Sequence, residues 1–236
     1  MNKLAIIAVT GLGVCAICIG VGTAVGGRLA FGIEDDDGRP KCGRVTDAAL
    51  TSRALPWDGS DSVRLVVFSD ARYTPGSDAM LHASGDPQVL AHLRIRNGTI
   101  ELDCRGWRDR DQIKLTLPGR QFQKFSIAGR SDLVMEKMNQ PSARIEIAGT
   151  GTIRADGKID DLDIKLAGVG HADFGRVASQ KARAELAGIG SADIAPSAEA
   201  IIKIAGPSTV NLHSSPKILD TSIAGPGHLN KVAPGG

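Results

Sequence analysis

Ile145-Glu146-Ile147-Ala148-Gly149-Thr150-Gly151-Thr152-Ile153 is followed one unit later by Ile164-Lys165-Leu166-Ala167-Gly168-Val169-Gly170-His171-Ala172. A third version is Ala184-Glu185-Leu186-Ala187-Gly188-Ile189-Gly190-Ser191-Ala192. In each, apolar and polar residues alternate up to an Ala-Gly dipeptide, and alternation resumes after the next glycine. Period two belongs to a strand with one buried face, and glycines at both breaks leave no room for a long helix. The stretch therefore reads as strand, tight turn, strand.

Outward from this stretch, the dipeptide recurs at Ala128-Gly129, Ala148-Gly149, Ala167-Gly168, Ala187-Gly188, Ala205-Gly206 and Ala224-Gly225, at intervals of 20, 19, 20, 18 and 19 residues. The residue before each Ala is Ile127, Ile147, Leu166, Leu186, Ile204 or Ile223, and two earlier stand Phe125, Ile145, Ile164, Ala184, Ile202 and Thr221. After the turn the apolar positions are Leu133, Ile153, Ala172, Ala192, Val210 and Leu229. Equivalent residues that recur at one interval in one chain direction stack above each other at about 4.8 Å in a parallel solenoid, whereas hairpins would reverse at every strand. Residues 121–232 are thus expected to form an all-β parallel β-helix of about six coils of 18–20 residues, roughly 25–30 Å tall. The outward residue between the inward columns reads Ser126, Glu146, Lys165, Glu185, Lys203, Ser222. Stacked coils would place these charges in alternating sign, which fixes the register more than it adds stability.

Residues 44–120 form a strand-rich section of another kind, expected to cap the solenoid and cover its strand edges. Val63 to Phe68 and Ile113 to Leu117 read as strands. Leu93 to Arg96 and Thr99 to Cys104 flank Asn97-Gly98, a hairpin signal because both residues accept positive φ. Residues 28–43 read as a linker, with Asp35-Asp36-Asp37 as its solvated run, and 233–236 as a tail.

The first 27 residues read as a targeting segment. Lys3 precedes an apolar or small run from Leu4 to Val25. A signal peptide carries a shorter apolar region and a spanning helix about 20 residues, so this run sits between a cleaved signal, with Gly22-Thr23-Ala24 at the cleavage site, and an uncleaved anchor through residues 4–25. Either way the chain is expected to be exported to the periplasm or cell envelope. Cys15 and Cys18 fall in this run. Cys42 and Cys104 fall in the exported part, where oxidation is permitted, and are a candidate disulfide or two free thiols.

Lys and Arg total 28 against 26 Asp and Glu, so no electrostatic case exists for nucleic-acid binding. Asp173 and Asp193 are equivalent in neighbouring coils, followed by Asn211 and Asn230, and are the candidate acid/base pair of a glycosidase or a Ca²⁺ site. The plainer reading is an exposed ladder at a turn. His171 shares a column with Thr152, Ser191, Thr209 and His228, and the two histidines stand three coils apart, too far to share a metal. Ser191 lacks a nucleophile elbow, and the Gly-rich turns precede strands rather than helices, which removes a phosphate cradle. No cofactor is expected.

The lead-in Arg53-Ala54-Leu55-Pro56-Trp57-Asp58-Gly59, the Asn97-Gly98-Thr99-Ile100 hairpin and the train of Ile/Leu-Ala-Gly-x-Gly units together resemble the putative auto-transporter adhesin, head GIN domain family, over residues 44–232. The resemblance implies a right-handed β-helix domain exported by bacteria, with no established activity. Self-translocation is not expected, since no membrane barrel strands are read in the sequence. The expected role is a non-catalytic envelope protein that adheres, scaffolds or contacts an unidentified envelope or surface ligand through its faces. The alternative is a carbohydrate-active enzyme using Asp173 and Asp193. End-to-end stacking of coils is a further expectation, giving homo-oligomers.

Overall fold

A computed structural model of the chain describes residues 38, 40–43, 49–106 and 112–232. Residues 1–27, most of 28–43 and the tail 233–236 lie outside the described residues, and with them the candidate signal or anchor. Arg39–Gly236 is one compact unit, and the other unit, Met1–Gly38, is described only at Gly38.

The elements in chain order are β1 (Thr51–Pro56), β2 (Ser62–Leu65), β3 (Ser69–Tyr73), β4 (Met80–Gly85), α1 (Pro87–Ala91), β5 (Leu93–Arg96), β6 (Thr99–Leu102), β7 (Ile113–Thr116) and β8 (Lys124–Ile127). Then come β9 (Arg130–Ile147), β10 (Thr150–Leu166), β11 (Val169–Leu186), β12 (Ile189–Ile194), β13 (Pro196–Ile204), β14 (Ser208–Leu212), β15 (Ile218–Ile223) and β16 (His228–Lys231). They build a parallel β-solenoid with two long walls. One wall stacks β5, β6, β2 and β8, then the C-terminal halves of β9, β10 and β11, then β13 and β15. The other stacks β1, β4, β7 and β3, then the N-terminal halves of β9 to β11, then β12, β14 and β16.

The columns read from the sequence are the observed register. Phe125, Ile145, Ile164, Ala184, Ile202 and Thr221 pair in succession, as do Glu146, Lys165, Glu185 and Lys203. The solenoid makes about five turns, in keeping with the coils expected. Three successive corners close in the same way. The N–H groups of Ala148 and Gly149 both donate to Ile127 O, those of Ala167 and Gly168 to Ile147 O, and those of Ala187 and Gly188 to Leu166 O, at 2.8–3.2 Å. One carbonyl thus satisfies two donors of the coil above. A Cβ on Gly168 would collide with Gly149 O and with Ala148 C of the coil below, so stacking at sheet spacing needs glycine there.

The N-terminal section is more solenoid-like than its sequence suggests. The expected strand Val63–Phe68 breaks after Leu65, and Val66–Phe68 turns a corner. The N–H groups of Ala128 and Gly129 donate to Leu65 O at 2.9 and 3.0 Å, the same bond that closes the Ala-Gly corners. β2 and β3 therefore form one parallel layer beneath β8 and β9, and β6 and β7 form the next. Only β1, β4 and β5 run antiparallel and finish the end. Asn97 and Gly98 hold φ of 49° and 71° in the β5–β6 hairpin. Asp58 of the lead-in segment accepts from Gly98 N at 2.8 Å, which ties that segment to the hairpin. Pro40 to Gly43, in the expected linker, are also tied down: Cys42 N donates to Arg105 O, Arg105 N donates to Pro40 O, and a disulfide joins Cys42 to Cys104.

The interior is a single column of inward side chains. Ile145, Ile164, Ala184 and Ile202 are all fully buried, and one cluster runs from Leu55 to Leu212. One part of it is aromatic: Tyr73, Phe122 and Phe125 pack with ring centroids 5.0–5.7 Å apart where the N-terminal layers meet the coils, with Trp57 on Phe122. Tyr73 Oη donates to Arg120 O, and burial raises its phenol above the usual pKa.

Candidate functional site

The second wall presents its outward residues in two adjacent columns. One is Thr152, His171, Ser191, Thr209 and His228, and the other is Arg154, Asp173, Asp193, Asn211 and Asn230. Strand alternation turns both columns to solvent while Ala172, Phe174, Ala192 and Ile194 fill the interior. Phe174 is fully buried and offers no platform to a sugar.

Within these columns a polar cluster centres on Asp193, whose side chain is 14% exposed. An ionised carboxylate only accepts, so His213 donates from Nε2 to Asp193 Oδ1 at 2.7 Å, and Asn211 Nδ2 donates to the same oxygen at 3.0 Å. On the other oxygen, His171 Nε2 lies 3.5 Å from Oδ2, and the second ring nitrogen of His171 is 2.6 Å from Ser191 Oγ. Asn230 continues the chain of bonds by donating to Asn211 Oδ1. His213 was not singled out in the sequence. Its signal was there, because Thr209, Asn211 and His213 share one face by period two.

The arrangement brings His171, Ser191 and Asp193 together, and Asp173 makes its bond elsewhere. Asp173 Oδ1 accepts the N–H of Gly175 at 3.4 Å, and both oxygens of Asp193 are already engaged. Ser191 beside an imidazole has the start of a nucleophile and base. The backbone around it is paired in the parallel ladder on both sides. Among the described residues no group of three or more His, Cys, Asp or Glu is set to hold a metal ion.

Of two grooves on the solenoid, one lies on each wall, and neither is lined by Asp173 or Asp193. A depression of about 400 Å³ lies lower on the second wall, between Phe68, Arg130, Asp132, Thr152 and Val169, with His171 at its rim. A longer groove of about 760 Å³ crosses the first wall over Lys124, Arg144, Asp161, Asp163, Lys181 and Glu199. In its lining Lys124 pairs with Glu146 at 2.7 Å, Arg144 with Asp163 at 3.1 Å, Lys181 with Glu199 at 4.0 Å and Arg183 with Glu185 at 3.5 Å, and on the same wall Lys165 and Lys203 pair with Glu185 at 3.7 and 3.5 Å. Burial works to raise the Glu185 carboxyl, but Lys165, Lys203 and Arg183 outweigh it and hold the group below its ordinary range.

At the corners between the walls the surface changes character. Val169 and Ile189 are 50% and 56% exposed, and Ala167, Ala187, Ala205, Pro207, Ala224 and Pro226 are exposed beside or above them. An apolar strip therefore climbs the solenoid along the line of Ala-Gly corners.

Fold and surfaces together define a β-solenoid that displays ordered faces rather than an enclosed pocket. The chain belongs to the putative auto-transporter adhesin, head GIN domain family, which matches residues 69–230 and so leaves the lead-in segment 53–59 outside the match. Among solved structures, it is similar to a putative adhesin from Bacteroides fragilis, with 16% identity over 78% of this chain and 97% of that one and a TM-score of 0.64. Two proteins from Parabacteroides distasonis also match. One is described as a putative lipid binding protein (16% identity, 79% and 98% covered, TM-score 0.43), the other as a putative adhesin (12%, 79% and 98%, 0.46). At 16% identity the likeness to the Bacteroides fragilis structure is one of fold. No curated protein matches. Among the described residues no helix is long and apolar enough to cross a membrane.

Proposed function

We propose that this chain is an exported, non-catalytic contact module of the cell envelope that engages its ligand through the outside of the solenoid. The observation that carries this reading is the apolar corner strip, with Val169 and Ile189 half exposed beside columns of polar outward side chains. Exposed apolar surface of this kind, rimmed by polar residues, marks interaction sites. The rim here includes His171, Ser191 and Asp193. The membership in an adhesin-named family and the apolar run at residues 4–25 support the surface role and the export.

The test uses purified Arg39–Gly236 on bacterial and plant polysaccharides and on isolated cell-envelope fractions, with retention and turnover both measured. Retention without turnover is expected, together with its loss in Val169→Asp/Ile189→Asp at unchanged circular dichroism. Turnover abolished by Asp173→Asn or Asp193→Asn would instead establish the carbohydrate-active alternative.

A further inference from the structure

We propose that Ser191 is an activated nucleophile that takes an acyl group from esters of short apolar acids. The proton on His171 decides the chemistry. Its Nδ1 lies 2.6 Å from Ser191 Oγ, and its Nε2 lies 3.5 Å from Asp193 Oδ2. A neutral imidazole carries one N–H, and either nitrogen can hold it. With the proton on Nδ1, the bare lone pair of Nε2 would face an ionised carboxylate oxygen. With the proton on Nε2, that N–H turns its positive end to Asp193, and Nδ1 accepts from the Ser191 hydroxyl. Electrostatics selects the second arrangement, in which the imidazole is a base toward Ser191. Asp193 is fixed from its other side. Its Oδ1 accepts from Asn211 Nδ2 and His213 Nε2. The His213 ring rests against Gly175, where a Cβ would stand 3.3 Å from His213 Cδ2, so the bare glycine leaves that ring its seat. Nucleophile, base and the carboxylate that orients the base are thus brought together by β11 and β12.

The surface beside the pair sets the kind of acyl group. Val169 and Ile189 stand two residues before His171 and Ser191, so by period two they share the outward face, and they are 50% and 56% exposed. Val169 also lines the depression of about 400 Å³ that has His171 at its rim. Two residues of strand span about 7 Å, the reach of a chain of a few carbons. An acyl chain laid on these side chains brings its carbonyl carbon to Ser191 Oγ while apolar surface leaves water on both partners. In the step itself His171 Nδ1 takes the hydroxyl proton as Ser191 Oγ bonds to the carbonyl carbon. The bond from that carbon to the alkoxy oxygen then breaks, the alcohol leaves with the proton, and Ser191 holds the acyl group as an ester. This goes beyond the contact role proposed above and stands or falls apart from it.

Purified Arg39–Gly236, a compact unit whose core lies wholly within it, is incubated with p-nitrophenyl butyrate or p-nitrophenyl acetate. Nitrophenolate release is followed, and the acyl group is located by intact mass and peptide mapping. The acyl group is expected on Ser191, arriving faster from the butyrate than from the acetate. Ser191→Ala should lose it, and His171→Gln should slow it about a hundredfold or more, the scale of a general base. Ile189→Ser should remove the preference for butyrate. Asp193 acts through His171, so its test is the imidazole. Nitrogen NMR should find His171 protonated on Nε2, with the proton moving to Nδ1 in Asp193→Asn at unchanged circular dichroism. Acylation scattered over lysine amines, or Ser191 acylated no faster than in the urea-unfolded chain, overturns the proposal. So does wild-type His171 with its proton on Nδ1, or a His171→Gln variant acylated at the full rate. Retention on envelope fractions can persist through each of these failures, so the two readings fail separately.

Discussion

The coil that holds Ile164 and the coil that holds Ile223 follow the same template, yet they live in different environments. Ile164 has a coil below and a coil above it, and no part of it reaches solvent. Ile223 has only Ile204 beneath it and is 45% exposed. In a solenoid a residue's burial comes from its neighbours in the stack rather than from its own strand, so identical sequence patterns contribute unequally by position. The N-terminal section makes the same point from the other side. Its layers lack the Ala-Gly signature, but β2 and β3 lie under β8 and β9 and are buried as deeply as any coil.

The largest effect expected from this contrast is Ile164→Asp. A carboxylate in that dry interior has no partner, and a loss of more than about 5 kcal/mol would exceed the margin of many domains. Ile223→Asp should cost less than about 1 kcal/mol because its side chain already meets water. Urea midpoints of the two variants check this. Equal losses would mean that the last coil is covered as deeply as the middle one.

Next in size is the bond between Cys42 and Cys104. It closes a loop with a sequence separation of 62, and the chain-entropy relation gives about 4 kcal/mol for it. Reduction should lower the urea midpoint of the N-terminal layers first, with amide exchange rising around Lys41 and Arg105 before the coils respond. Uniform loss over all coils would show that both regions unfold as one unit. A smaller effect, about 1–3 kcal/mol from overpacking, is expected for Gly168→Ala, where the new Cβ meets the backbone of the coil below. Ala167→Ser, one residue away on the exposed corner, should stay within about 0.5 kcal/mol.

The regular coils were legible because one interval, one face and one corner chemistry repeat. Six matched Ala-Gly sites gave the register to the residue, including the column from Asp173 through Asp193 to Asn211 and Asn230. The N-terminal layers were less legible for a physical reason. Their corner at Val66–Phe68 makes the same hydrogen bonds as an Ala-Gly corner without using that dipeptide. In addition, β6 and β7 come after β2 and β3 in the chain but lie beneath them in the stack. Chain order therefore hid the spatial order. At the candidate site, the columns of His171 and Asp193 could be read, but the bond from His213 could not. It depends on a side chain reaching across from the coil above and two residues along.

The smallest effect lies in the charge column of the first wall, and it separates register from stability. Glu185 sits between Lys165 and Lys203, and its pKa is held below the ordinary carboxylate value in the folded state. A lowered folded pKa means that the charged form contributes at neutral pH. That contribution is intact above the unfolded pKa of about 4.3 and is lost as pH falls through the folded value. Glu185→Gln should thus cost under about 1 kcal/mol at pH 7, the scale of a partly exposed ion pair, and the gap to wild type should close on acidification and narrow in salt. Urea titrations at pH 7 and at pH 3 measure it. A gap that widened toward acid would mean that Glu185 is stabilised by its protonated form, and the alternating column would then mark the register without contributing through its charges.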